Sequence, residues 1–292
     1  MRRSLFPILL FLVSSAFGQA HFVTTIRPFE LILREVVAPG DTVTAILPPG
    51  ASPHSYELRP SDARRLAAAT ALVYGASNLD AWVLAFDHPR TVTLLDMVPA
   101  SLQRHFGDGN GDPGHDRHDH GHDHGGVDPH FWTDPLAVRA LLPALAAALG
   151  DIHPPAAPTY RANADAFAMR LDSLTRALDA ELAPLRSHTM VFSHPFFHYF
   201  LGRFGLSEVL DIELNPGREP TPRQVAGLLR AARERNAAVV FSLPQYPDRP
   251  ARLLADSAGI PFVLLDPLGG AGQESYAALL HDNARRMREA LP

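Results

Sequence analysis

The chain has 292 residues, 46% hydrophobic and 20% charged, with no cysteine and a formal charge of −5. This composition supports a large core, and the length suggests two lobes rather than one small domain. The missing cysteine excludes disulfides, thiolate zinc sites and a lipidated cysteine, and the acidic balance argues against nucleic acid as a partner.

Residues 1–20 differ in kind from the rest. Arg2 and Arg3 precede a short apolar run, Leu5 to Val13, and small residues follow from Ser14 to Ala20. This is the layout of a secretory signal peptide, with cleavage expected after Gly18 or Ala20. The apolar run is too short to cross a bilayer as a helix. No later segment is expected to cross one either, so the mature chain is expected to be soluble in the periplasm. Removal of residues 1–20, which hold two Arg and no acid, leaves 24 basic and 31 acidic residues, a formal charge of −7.

Residues 21–153 alternate strand-like and helix-like segments. Phe22–Ile26 predicts a strand, Phe29–Val37 a helix, Thr42–Leu47 a strand and Pro60–Ala69 a helix. Ala71–Tyr74 and Thr91–Leu95 predict two further strands. Such alternation implies a parallel sheet with helices on both faces. Residues 107–126 interrupt it with Gly, Asp and His, which predicts a mobile, solvated loop. Asp134–Leu149 then predicts a helix with Asp134 as N-cap, Pro135 in the first position and Gly150 ending it.

Pro154, Pro155 and Pro158 open a linker over residues 154–187. Tyr160, Ala164, Phe167, Leu171, Leu174, Leu178 and Leu182 recur at spacings of three and four, the apolar stripe of a helix from Tyr160 to Leu185. Such a helix is about 39 Å long and could bridge two lobes along their height. Residues 188–292 repeat the first pattern. Strands are predicted at Thr189–Ser193, Leu206–Asp211, Ala238–Ser242 and Ile260–Leu265. Helices are predicted at Pro195–Phe204, Thr221–Asn236, Arg249–Ala258 and Glu274–Ala290. The expected fold is α/β, with two Rossmann-like (βα)n lobes, each with a parallel sheet, joined by one long helix.

Four potential metal ligands stand at strand ends or in the loops beyond them: His54, His130, His194 and Asp266. Open α/β sheets bind ligands outside the carboxyl ends of their strands, so two facing lobes would bring these residues into one cleft. Three imidazoles and a carboxylate can complete a zinc tetrahedron, and a nitrogen-rich set favours Zn²⁺ over Mn²⁺. No single gap between them is a metal motif, and one histidine taken alone is more often structural than a ligand. His115, His118, His120, His122 and His124 alternate with Asp and Gly in the polar loop, a composition suited to loose binding of a second zinc. His194 and His198 are spaced as a helical pair. Pro195 stands where a zinc-protease motif needs Glu, so His198 is expected to pack or support rather than ligate. Phe192, Phe196, Phe197, Tyr199 and Phe200 are expected to form core and cleft wall.

Several segments together resemble a known family. They are Ser52-Pro53-His54-Ser55-Tyr56-Glu57-Leu58-Arg59-Pro60-Ser61-Asp62, Asp128-Pro129-His130-Phe131-Trp132, and Ser193-His194 before an aromatic helix. Glu219-Pro220-Thr221-Pro222 and Leu265-Asp266-Pro267-Leu268-Gly269 complete the set. The chain is similar to the metal-specific solute-binding proteins of ABC importers, cluster A-I, and most similar to their zinc branch. The resemblance covers the whole mature chain. It implies a non-enzymatic, monomeric protein that captures Zn²⁺ between its lobes and delivers it to a membrane permease with its ATPase. His54, His130 and His194 match the family's three metal histidines, and Asp266 occupies its last ligand position. Some members carry a glutamate just before the first histidine. Here that residue is Pro53, so Asp266 or water must complete the shell. The alternatives are a periplasmic zinc hydrolase, for which no HExxH, G-x-S-x-G or phosphate loop is found, and a manganese-binding or adhesin-like member of the same family.

Overall fold

The computed structural model describes residues 18–106, 126–211, 221–270 and 272–291. Two four-stranded sheets organise the chain. The first holds β1 (His21–Thr24), β2 (Thr42–Ala45), β3 (Ala71–Tyr74) and β4 (Thr91–Thr93), in the order β2-β1-β3-β4. The second holds β5 (Thr189–Phe192), β6 (Ser207–Asp211), β7 (Ala237–Ser242) and β8 (Phe262–Leu264), in the order β6-β5-β7-β8. All pairings are parallel. Helices α1 (Arg27–Arg34) and α2 (Pro60–Ala67) belong to the first lobe. Helices α5 (His198–Phe204), α6 (Pro222–Glu234) and α7 (Arg249–Ala258) belong to the second. Between them run α3 (Pro135–Ile152) and α4 (Ala157–Leu182), and α8 (Tyr276–Glu289) closes the chain. The expected two-lobed α/β architecture is the one that forms. The shared strand order matters for function. In each sheet the chain changes direction beside the first strand, and the loops at that crossover form the natural ligand crevice.

The strands are shorter than their sequence pattern predicts, for local reasons. Ile46 and Leu47 still donate to Thr24 and Thr25 carbonyls, but Pro48 and Pro49 then have no N–H to continue the ladder. Leu95 leaves the strand for a 3-10 turn, Leu95–Met97. The predicted helix Pro195–Phe204 is a 3-10 turn, Pro195–Phe197, followed by α5. Ala20, a candidate last residue of the leader, is integrated into the fold. Its N–H donates to Asp41 Oδ1 and its carbonyl accepts from Thr42.

The long helix is present. α4 has 26 residues, about 39 Å. It starts before Tyr160, with Pro158 in its first turn, and gives way to a 3-10 turn at Ala183–Ser187. The whole predicted stripe from Tyr160 to Leu182 is buried. Helix α3 packs on α4 and departs from expectation twice. Gly150 does not end it but lies inside, where a Cβ would stand 2.8 Å from the Ala157 Cβ, so this glycine lets the two helices approach. By length and composition α3 could also cross a membrane, contrary to the expectation for the mature chain. Its residues Val138, Leu141, Leu142, Leu145 and Leu149 are instead buried in the protein core.

One apolar cluster runs through both lobes, from Phe22 and Ile32 through Leu141 and Phe167 to Phe196 and Leu280. Polar ties brace it. Trp132 Nε1 donates to the Pro267 carbonyl at 2.9 Å, and Tyr276 Oη donates to the Trp132 carbonyl at 2.6 Å. Arg27 donates to the Gln273 carbonyl at 2.8 Å. Arg203 of α5 grips buried Asp134 with two parallel bonds of 2.8 and 2.7 Å, while Asp134 caps α3 through the Leu136 N–H. Removing the guanidinium would strand a buried carboxylate. The variant Arg203→Ala is expected to lose about 3 kcal/mol of unfolding free energy in urea titrations; a loss within error of zero would show that the pair does not brace the lobes.

Candidate metal centre

Each of the three histidines leaves a strand end or an adjoining loop with its backbone already tied down. His54 follows the Pro48-Pro49-Gly50 turn, where Gly50 takes a φ of +79°. Trp82 Nε1 holds the carbonyl of Pro53 at 2.7 Å, and the His54 N–H donates to Ser52 Oγ at 3.3 Å. The backbone carbonyl of Asn78 faces the His54 ring. Asn78 lies in a loop clamped by buried Asp80, which accepts from the Gly75 and Ala76 N–H groups and from Thr25 Oγ1.

His130 stands beyond the chain excursion whose two feet are joined by Phe106 N–H to the Gly126 carbonyl and Asp128 N–H to the Arg104 carbonyl. Asp128 then turns back on His130. Its Oδ1 accepts from the His130 N–H at 2.9 Å and from His130 Nδ1 at 2.7 Å. The other oxygen, Oδ2, is buried 3.5 Å from His198 Nδ1. Tyr199 Oη holds the Asp128 carbonyl at 3.0 Å. His194 comes two residues after β5, with the Ser193 N–H donating to the Phe241 carbonyl of β7.

These three rings converge. His54 and His130 ring centres are 5.3 Å apart, His54 and His194 5.5 Å, and His130 and His194 5.7 Å. Three imidazoles on one tetrahedral zinc would have centres about 5.2 Å apart, from Zn–N bonds of about 2.0–2.1 Å. The Nε2 atoms of His54 and His130 are 3.1 Å apart, against about 3.3 Å for two ligand atoms of such a tetrahedron. Phe196 lies against all three rings, with centres 4.3 Å from His130, 4.5 Å from His194 and 5.7 Å from His54. Trp132 flanks His130 at 5.4 Å. His130 and His194 are buried and His54 is half-buried, so an ion would enter past His54.

Burial sets the charge state of this cluster. It pushes His54 down to about 3, with the proximity of His130 adding to the effect. Burial, then His130 and His54, hold His194 well below the ordinary imidazole value. His54 and His194 therefore enter the cluster as neutral nitrogen donors. Burial alone would raise the Asp128 carboxyl, but His130 and His198 outweigh it and hold Asp128 below the usual carboxylate range. A carboxylate is thus fixed behind His130, on the far side of the ring from His54.

Asp266 follows β8 as expected, but its position differs from that of the histidines. Its Oδ1 accepts from Gln245 Nε2 at 2.7 Å and from the Leu268 and Gly269 N–H groups, both at 3.1 Å. Its backbone is held by Asn283. It makes no hydrogen bond to any of the three histidines. Among the described residues, no group of three or more His, Asp or Glu stands ready-made to hold a metal ion. The cleft between Pro48–Gly50 and Leu268–Gly270, about 300 Å³, is also not lined by the histidines. Aromatic rings fill the space around the imidazoles. His115, His118, His120, His122 and His124, like Glu219 and Pro220, lie outside the described residues.

Sequence reasoning picked out the three histidines but missed the residues that hold them. Asp128 could have been found, since a carboxylate two residues before a histidine can bond both its backbone and its ring. His198 fits the supporting role expected for it. Asn78, Trp82 and Tyr246 carry no sequence signal of their own, because each acts through a chain-distant contact.

Two parallel-sheet lobes braced by a long helix, with an imidazole cluster at their crossover loops, define a solute-binding protein that takes a cation. The family described as "zinc-uptake complex component A, periplasmic" matches residues 22–290, and the chain belongs to it. It is a zinc-binding transport component acting outside the cytoplasm with an ABC importer, not an enzyme. A putative metal-binding protein of Thermotoga maritima is 28% identical over 292 residues, covering all of both chains. The high-affinity zinc uptake protein ZnuA of Brucella abortus is 27% identical over 310 residues, 92% of this chain and 91% of that one. The fold matches the periplasmic zinc-binding protein TroA of Treponema pallidum with a TM-score of 0.79 at 18% identity, over 94% of this chain and 99% of that one.

Two outcomes are expected from this geometry. The variant Asp128→Asn keeps the shape but weakens the grip on His130, and zinc affinity measured against a chelating dye is expected to fall about 10- to 100-fold. The second concerns pH. In the unfolded chain His54 takes up a proton near 6.5, and in the folded chain only near 3. Protons therefore favour unfolding in that window, and the contribution is whole above 6.5 and lost as pH falls towards 3. Denaturant titrations of metal-free protein are expected to show this loss, with a shallower slope in His54→Gln. An identical slope in the variant would contradict it.

Proposed function

We propose that His54, His130 and His194 take up one Zn²⁺ as neutral nitrogen ligands, that Asp266 or water completes the shell, and that the protein hands the ion to an importer permease driven by its ATPase. The protein works as a monomer. Its leader is removed at Gly18, a reading supported by the bonds that build Ala20 into the first sheet. The observation that carries the site assignment is the spacing of the three ring centres, 5.3 to 5.7 Å, close to the value for a shared zinc. The nitrogen-rich donor set favours Zn²⁺ over Mn²⁺. The Oδ1 of Asp266 is occupied by three donors, so only Oδ2 is left for an ion, after movement of its loop. Braced lobes would let the ion leave through movement of the Asp266 loop, without a large hinge motion. His115, His118, His120, His122 and His124 hold further zinc loosely, a role their composition supports.

Calorimetric titration with zinc tests this assignment. Wild type is expected to show one tight site followed by a weaker phase. His54→Ala, His130→Ala and His194→Ala are each expected to lose the tight phase and keep the weak one. Tight binding that persists in all three variants would remove these residues from the shell.

A further inference from the structure

The residue that joins the two halves of this site belongs to neither predicted ligand set. Tyr246 lies in the loop after β7, in the second lobe. Its ring stacks on His194 with centres 4.7 Å apart and planes 17° from parallel. Its hydroxyl is 3.2 Å from His194 Nε2. The stacked ring and this hydroxyl contact together keep the imidazole from turning. The same hydroxyl accepts from Ser52 Oγ at 3.3 Å, across the cleft in the first lobe. Ser52 Oγ in turn accepts from the His54 N–H at 3.3 Å. One phenol thus connects His194 to the loop that carries His54.

The other two imidazoles have partners elsewhere: Asp128 holds His130 through Nδ1, and the Nε2 atoms of His54 and His130 meet. His194 Nδ1 is buried without a hydrogen-bond partner, so the ring's orientation depends on its faces and on Nε2. Phe196 touches it at 4.5 Å, but its ring is apolar and offers the imidazole no hydrogen bond. Tyr246 supplies the polar contact to His194.

We propose that Tyr246 is a positioning residue for zinc capture, orienting His194 by stacking and coupling it to the His54 loop through Ser52. The inference rests on His194 being a ligand. Loss of the hydroxyl leaves the stacked ring in place but uncouples the two ligand loops. Zinc then finds the ligands in fewer productive arrangements and leaves faster.

The test is a double-mutant cycle on the full mature protein. Zinc affinity and chelator-induced release are measured for Tyr246→Phe, Ser52→Ala and the double variant, with thermal melts of the metal-free forms alongside. Each single variant is expected to lose about 10-fold in affinity, mostly as faster release, with an unchanged melting temperature. The double variant is expected to lose less than the sum of the two single losses, because both remove the shared Ser52–Tyr246 bond. Fully additive losses, or wild-type affinity in Tyr246→Phe, would overturn the proposal. Cobalt substitution adds a readout that fold stability does not move: the visible ligand-field bands are expected to change in Tyr246→Phe, and an unaltered spectrum also counts against it. His194→Ala separates the two levels. If it keeps tight zinc, the ligand assignment fails; if it loses zinc while Tyr246→Phe does not, only the role of Tyr246 fails.

Discussion

Three imidazoles from chain segments far apart are held together, tilted or edge-on to one another, before any ion arrives. Unassisted, that arrangement is unfavourable. Protonated rings would repel one another, and buried rings with unpaired nitrogens lose hydrogen bonds to water. The structure meets the cost by partnering the rings from outside the cluster. Asp128 fixes His130 through two bonds to one oxygen, and the Asn78 carbonyl faces His54. Phe196 lies against all three rings and keeps water out. A cluster of imidazoles with a fixed carboxylate behind it is prepared for a cation and unsuited to an anion.

That preparation depends on the lobes staying in register. Helix α4 spans about 39 Å, α8 packs back against α1 and α4, and one apolar cluster joins both sheets. Trp132 illustrates the economy of the design. It follows His130 by two residues, contacts that ring, and ties the first lobe to Pro267 and Tyr276 of the second. The same residues therefore position the site and hold the lobes together. The segment after β8 carrying Asp266 is the part of the proposed shell least committed to the imidazoles.

The site is accordingly divided. Two imidazole nitrogens already stand at nearly the spacing of zinc ligands, the third ring is close and stacked beneath a phenol, and the carboxylate is engaged in its own turn. Release of cargo is easier from such a set than from four rigid ligands, since withdrawal of one loop opens the shell. A transport component needs this compromise, and a permanent structural zinc site does not.

The sequence by itself determined the period and order of the elements, the apolar stripe of α4, the N-cap of α3, and the three histidines at strand ends or in the loops beyond them. These are local properties, encoded by neighbouring residues a few positions apart. Tertiary structure decided where helices and strands stop, as when Pro48 and Pro49 end a ladder or Gly150 serves helix packing in place of a cap. It also decided which groups hold the histidines. Asp128 is adjacent in sequence and could be anticipated, whereas Asn78, Trp82 and Tyr246 reach their targets through space. Hydrogen bonds and ring contacts between distant segments leave no periodic trace in the chain, because they exist only once both lobes have packed.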